Sequence, residues 1–446
     1  MPDTETVRDH PGSVVPLRRN HGFSLLLGGS WVSMLGSRVT TIAYPLLVLA
    51  ISGSPLLAGW ACFAAAAPSV LFYLPAGAII DRCNPRLAML VCEIFRGLVI
   101  ASMVAALVLS QLTVWRLIAA AALEEILQVF SNLAERRLAC SLVEPGQVPS
   151  ALARTEARTH LVVMLGRPLG ALLFGVSHIL PFSFDSLTFG VSAAALLRMR
   201  KHQRDDSYAP APKTRLTREI GEGFRWLRND PFALVALPLT AGTTFVGQAL
   251  IMIFLSEARA YDLTFSAIGI VLAASGVGGV LGSLVAPPLF RALGCYMFNA
   301  QLAGWLLTFA CLTEWGWRSF PCIAAAMMFM SFTGALGNVA LDNYIARTAG
   351  PGLLGRVMSI NSLISFAALA LGPLFGAVVL RLHGPHAAVV ALLFLVGLLC
   401  VAAPVLPGWE ALCHPAEYIA KVLHHRVAAW SQERRGRRRA GPAWPG

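Results

Sequence analysis

The sequence predicts an all-α integral membrane protein: twelve transmembrane helices in two six-helix bundles related by a parallel repeat. Three observations carry that expectation. Charged residues make up 13% of the 446 residues and hydrophobic residues 56%. Soluble domains carry roughly 25% charged residues, so this chain lacks the polar surface to cover a water-soluble body. Its apolar residues fall in runs near the roughly 20 residues that cross a bilayer core. The runs are continuous rather than alternating, which argues against a barrel. They come as six, a polar stretch, then six more.

Residues 1–22 are a polar N-terminal tail with Arg8, Arg18 and Arg19. The first apolar run, near 23–51, is too long for a signal-peptide core and no A-x-A-like site closes it, so it is expected to stay as the first span. Further spans are expected near 54–80, 87–110, 113–134, 153–177 and 182–199, which makes 23–199 the first bundle. Residues 200–231 form a basic linker. Within it Ile220, Phe224 and Leu227 recur at helical spacing, which predicts an amphipathic surface helix. Spans near 232–256, 265–289, 296–314, 319–341, 356–380 and 386–406 make 232–406 the second bundle, and 407–446 a basic C-terminal tail.

The halves echo each other. "LGRPLGALL" (165–173) resembles "LGPLFGAVV" (371–379), each in the fifth span of its half. "SGSPLLAGW" (52–60) aligns with "DLTFSAIGI" (262–270), each leading into a second span. Two matches at nearly one offset and at equivalent spans argue for a duplicated six-helix unit, as in transporters built from parallel repeats. An even span count puts both termini on one side, and most of the 35 Lys+Arg fall there. The positive-inside rule then places both tails and the linker in the cytoplasm. Nearly all of the 35 are Arg, and with the high Ala content this points to a GC-rich bacterial genome, hence the bacterial cytoplasmic membrane.

The net charge of +12 sits mostly in loops and tail, which suits anionic lipid head groups better than nucleic acid. The nine cysteines occur singly, with no metal spacing, and read as small buried hydrophobes. No phosphate-binding G-x-x-x-x-G-K-[ST], no G-x-S-x-G and no H-E-x-x-H occurs. An intramembrane enzyme would need a nucleophile–base pair, and His160, the only buried histidine candidate, has no evident partner. No cofactor or metal is expected, and the chain reads as a monomer.

Residues 77–86, "GAIIDRCNPR", place a glycine, an acid and two arginines in one tight gap between the second and third spans. Small residues allow close helix approach in membranes. Asp81 suits a helix N-terminus or an arginine such as Arg136 or Arg137 at the end of the fourth span. Cys83-Asn84-Pro85 form the turn. This G-x-x-x-D-R-x-x-x-R pattern resembles the signature loop of the major facilitator superfamily. "MLGSRVTTIAYPLLVL" (34–49), "PFSFDSLTF" (181–189) and "GRVMSINSL" (355–363) resemble segments of its drug:proton antiporter branch, which includes macrolide and siderophore exporters. The resemblance implies a secondary transporter that alternates between inward- and outward-open states. It also implies that Gly77, Asp81, Arg82 and Arg86, with Arg136 and Arg137, form a conformational latch rather than a substrate site. The second-half equivalent, "GSLVAPPLFRALG" (282–294), keeps Arg291 but has Phe290 where the acid would stand.

Ionisable residues inside spans are costly and are functional candidates by default. Arg38, Glu124, Glu125 and Arg167 fall near the bilayer midplane, where transporter sites tend to sit, and Asp185 opens the sixth span. The resemblance puts the first, fourth and fifth helices around one cavity, so these residues can meet. Adjacent carboxylates hinder each other's ionisation, so a proton can be carried there. The arginines cannot release one and are counter-ions or ligands for an anionic substrate. Glu124 and Glu125 point about 100° apart on a helix, so at most one faces the arginines directly. Glu93 and Arg96, at i and i+3, read as an internal structural pair of the third span. Ser30, Ser33, Ser37, Thr41 and Tyr44 make a polar stripe on the first. The second half offers Gln248, Asp342 and Asn343. The expected function is proton-coupled export of a small amphipathic compound such as an antibiotic, natural product or siderophore. The alternatives are uptake and, further off, a non-transporting receptor or scaffold.

Overall fold

The computed structural model describes residues 20–80, 82–143, 147, 162, 165–199, 216–260, 263–293, 296–315, 320–349 and 353–405. The N-terminal tail to residue 19, Asp81, His160, residues 200–215 and the tail from 406 lie outside the described residues. What is described is helical, and no strand occurs among those residues. The helices are α1 (His21–Ser52), α2 (Pro55–Ala64), α3 (Ala67–Ile80), α4 (Pro85–Val108), α5 (Val114–Ser141), α6 (Leu165–Val176) and α7 (Leu180–Arg198). There follow α8 (Leu216–Asn229), α9 (Pro231–Ala260), α10 (Phe265–Leu293), α11 (Tyr296–Trp315), α12 (Phe320–Thr348) and α13 (Leu354–Val405).

Nine helical stretches among the described residues are long and apolar enough to cross a bilayer. The expected second span is broken at residues 65 and 66 into α2 and α3, which together make one such stretch. The expected eleventh and twelfth spans run together as α13. Gly384, at φ 81 and ψ 177, turns the chain inside it, a conformation open to glycine because it has no Cβ. Shorter apolar helices lie at Leu165–Val176 and Gln301–Thr313. Counted this way, the described segments accommodate the twelve expected crossings.

The two segments whose likeness predicts a repeat make equivalent contacts. Gly166 and Gly170 of α6 press on Arg38 and Val39 of α1, leaving no room for a side chain. Gly372 and Gly376 of α13 press on Phe245 and Ala249 of α9 in the same way. In each half the fifth span therefore lays a G-x-x-x-G face on the first, the small-residue packing that membranes favour. Gly278 and Gly282 of α10 sit likewise against the backbone of Met328 and Phe332 in α12.

One face of the molecule carries the start of α1, and hydrogen bonds gather other helix ends there. Asn20 caps α1 by accepting from the Phe23 N–H (3.0 Å) and donates to the Leu142 carbonyl (2.6 Å) at the end of α5. Asn84 caps α4 by accepting from the Leu87 N–H (3.1 Å), with Pro85 in the first turn, as the Cys83-Asn84-Pro85 turn requires. Asp230 accepts from the Ala233 N–H (2.9 Å) and from the Tyr344 hydroxyl (2.9 Å), tying the start of α9 to the end of α12. This face is called the near face below.

At the opposite, far face the two halves meet. Gly59 of α2 lies against Ala377 of α13, and Gly175 of α6 against Phe265 of α10. Phe174 adds an edge-to-face contact with Phe265, ring centroids 5.2 Å apart. The second span of each half is thus packed on the fifth span of the other.

The amphipathic helix expected in the linker is α8. Leu227 is buried and Phe224 half-exposed, while the Ile220 side chain lies outside the described residues.

Candidate functional site

Between the halves lies a cavity of about 350 Å³. It reaches from Tyr44 and Cys62 towards the near face as far as Glu135 and Arg136. Its walls differ. α1, α5 and α6 contribute Ser37, Arg38, Tyr44, Glu124, Glu125 and Arg167, while α9 and α13 contribute Ile251, Met252, Phe366, Leu369 and Pro373. Gln248 is the polar member that α9 adds. The stripe expected on α1 divides: Ser37, Thr41 and Tyr44 line the cavity, and Ser30 and Ser33 are buried behind it.

The charges beside this cavity are organised around Arg96 of α4. Its side chain is 1% exposed and pairs with Glu93 (3.3 Å) and with Glu124 of α5 (3.4 Å). One Nη atom also donates to Ser37 of α1 (2.5 Å). The guanidinium stacks over the Phe189 ring of α7, 4.1 Å from its centre, a favourable cation–π placement. Each carboxylate is further satisfied. Glu93 accepts from Ser33 (2.7 Å) and Ser131 (2.9 Å), and Glu124 accepts from the Tyr44 hydroxyl (2.8 Å). One cation therefore joins α1, α4, α5 and α7 in a nearly dry interior. A buried charge network holds only when its members are paired in this way.

This arrangement differs from the sequence expectation. Glu93 and Arg96 do form a buried pair, but the pair is not confined to α4. Arg96 reaches across to Glu124, one of the two acids of which at most one was expected to face Arg38 and Arg167. The 100° between the two glutamates has the expected effect: Glu124 turns to Arg96 and Tyr44, and Glu125 turns to α3, where Ser69 donates to it. The signal for the wider role was present in an acid and a base three residues apart in an apolar span, with serines at 33 and 37 on another. Which helix faces α4 was not legible.

Of the five residues expected to carry coupling or substrate, Arg38, Glu124, Glu125 and Arg167 all line the cavity. Asp185 does not. It is wholly buried between α1 and α7, accepting from Thr40 (2.9 Å) and Thr188 (3.4 Å), where Gly36 leaves space for it. Its hydrogen-bond donors are hydroxyls, and among the described residues no cation lies within ion-pair distance of it.

The loop residues lie at the near face. A side chain added at Gly77 meets nothing within 4 Å. Arg82 is exposed. Arg86 donates to the Leu196 (2.9 Å) and Leu197 (3.1 Å) carbonyls, closing the last turn of α7. Arg137 donates to the Ile80 carbonyl, one residue before Asp81. Arg136 lines the mouth of the cavity. In the second half, Asp342 is exposed and accepts from Asn361 (3.1 Å). Phe290, Arg291 and Asn343 have side chains outside the described residues. Among the described residues no group of His, Cys, Asp or Glu could hold a metal ion.

Fold and site together define a polytopic membrane protein with a charged cavity between two repeats. Residues 26–299 match the Major Facilitator Superfamily, and the chain belongs to that family of membrane transporters. It is 25% identical over 367 residues to the uncharacterized MFS-type transporter y4rN of Sinorhizobium fredii (strain NBRC 101917 / NGR234), covering 80% of this chain and 88% of that one. Among solved structures it is similar to a bacterial homolog of the human lysosomal transporter Spinster, inward-facing and unoccupied, with TM-score 0.66, 14% identity and coverage of 91% of this chain and 97% of that chain. It is similar also to an inward-facing bacterial homologue of the iron transporter ferroportin, with TM-score 0.66, 16% identity and coverage of 88% and 99%. The nucleoside transporter NupG follows, with TM-score 0.62, 13% identity and coverage of 89% and 98%. At these identities the structures bear on the fold alone.

Proposed function

We propose that this transporter exports a small amphipathic compound from a bacterium in exchange for protons, with both termini and the near face in the cytoplasm. The observation that carries the reading is the cavity itself. One wall bears three acids and three arginines, with Glu135 and Arg136 towards the near face, the other is mostly apolar, and the packed α2–α13 and α6–α10 contacts close it off at the far face. Such a cavity takes an amphipathic guest from the near side. The resemblance to the drug:proton antiporter branch supports the direction and the coupling. Glu124 and Glu125 are the proposed proton carriers, and Asp185 a buried support for α1 against α7.

In this reading the latch works in the opposite state. Open space at Gly77 and the cavity reaching Arg136 fit a near face that is parted, and closing it would bring a helix of the other half against Gly77. Arg137, which donates to the Ile80 carbonyl, is the arginine assigned to Asp81 in that latch. Asp81→Asn is therefore expected to lower transport several-fold while leaving membrane abundance unchanged. Transport equal to wild type at equal abundance would remove the latch assignment.

The test of the function is cellular accumulation of macrolides, siderophores, dyes and lipophilic cations, with and without a protonophore. Lower accumulation of a compound in expressing cells, restored by the protonophore, is the expected result. Raised accumulation would replace export by uptake.

A further inference from the structure

We propose that the guest is an amphipathic anion, its carboxylate or phosphate held between Arg38 and Arg167 and its apolar body against Met252, Phe366 and Leu369. The inference rests on the cavity being the transport site, and it names the class of substrate. Both arginines line the cavity. Arg38 presses with its Cβ on Gly166, the residue before Arg167, so the two guanidiniums spring from adjoining positions on α1 and α6. Among the described residues neither has a carboxylate within ion-pair distance; the pairs there belong to Arg96. Of the acids that share the cavity, Glu124 is engaged by Arg96 and Tyr44 and Glu125 by Ser69, and Glu135 lies towards the near face beside Arg136.

Two guanidiniums that cannot shed their protons and have no carboxylate at ion-pair distance among the described residues are costly away from water. An anion between them relieves that cost, and their planar forks suit the two or three oxygens of a carboxylate or phosphate. A cation would meet two like charges at short range. The apolar wall opposite, from α9 and α13, accounts for the amphipathic body. Glu125 is the nearby acid that acts on Arg38, but it is held at Ser69 rather than paired with that arginine, and the binding experiment below does not depend on which acid carries the proton.

Purified wild-type protein in detergent would be titrated calorimetrically with 4-phenylbutyrate, 4-phenylbutyl phosphate, 4-phenylbutyramide and 4-phenylbutylammonium. These probes share one apolar body and differ in head group. At least one anion is expected to bind roughly tenfold tighter than the amide, with the ammonium weakest. Which anion wins tells carboxylate from phosphate. Arg38→Gln/Arg167→Gln should level the series, and Arg38→Lys/Arg167→Lys, which keeps the charge, should retain part of the preference. The wild-type comparison needs no variant to fold. Absence of an anion preference in wild type, including no binding by any probe, overturns the proposal, as does a preference that survives in the glutamine pair. An anion that binds but is not moved in the accumulation assay upholds the anion site and removes the transport reading instead.

Discussion

Arg96→Leu is expected to destabilise the protein by about 3–5 kcal/mol, the range for breaking a buried ion pair from one side. Leucine fills much of the space but leaves Glu93 and Glu124 with no cation in a nearly dry interior. It also frees Ser37 and removes the charge over the Phe189 ring. The loss falls where α1, α4, α5 and α7 meet, so the first half should fail to pack as a unit. The measurement is the fraction of monodisperse protein after extraction, together with its thermal unfolding midpoint. Adding Glu93→Gln and Glu124→Gln to Arg96→Leu should recover part of the loss, because neutral amides can still use Ser33, Ser131 and Tyr44. Unchanged yield and midpoint in Arg96→Leu would mean that the network does not hold the bundle together.

Glu124→Gln/Glu125→Gln is expected to keep the fold and lose the coupling. Arg96 retains Glu93 in this variant, and each glutamine can still accept from Tyr44 or Ser69, so the structural cost is small. The cavity then has no acid left at its centre. Accumulation of an exported compound should no longer respond to a protonophore, and net export against a gradient should fall to background. If the protonophore still acts as in wild type, the proton is carried elsewhere. Asp185 is then the next carboxylate to replace, since hydroxyls are its donors.

Much of this was readable in the residues, for reasons that differ from element to element. Span number and order followed from apolar length, because a bilayer sets the length of a helix. The repeat was readable because packing demands glycine at equivalent places: Gly166 with Gly170, and Gly372 with Gly376, serve the same crossing in each half. Arg38, Glu124, Glu125 and Arg167 stood out because charge is rare in an apolar span. Partnership was less legible. Arg96 looked like a local pair for Glu93, since sequence spacing reports neighbours on one helix and not the helix across the way. The break at residues 65 and 66 falls just before Pro68 in the first turn of α3, a residue with no N–H to continue the ladder, and a reading by apolar length alone passes over it. The apolar wall of the cavity was invisible for a different reason. Phe366 and Met252 differ in no chemical respect from residues that face lipid or core.

The central claim is that one cavity opens alternately at two faces, and a reversible lock on the far face tests it most directly. The Cβ of Phe265 lies 2.7 Å from where a Cβ on Gly175 would stand, so the two helices need part by only about 1 Å to reach the Cβ separation of about 3.5–4.5 Å of a disulfide. In a background without the native cysteines, Gly175→Cys/Phe265→Cys should cross-link on oxidation, stop transport, and regain it on reduction. Either single variant should be indifferent to both treatments. Quantitative cross-linking with transport undiminished would contradict the account, because the far face would then have no need to open.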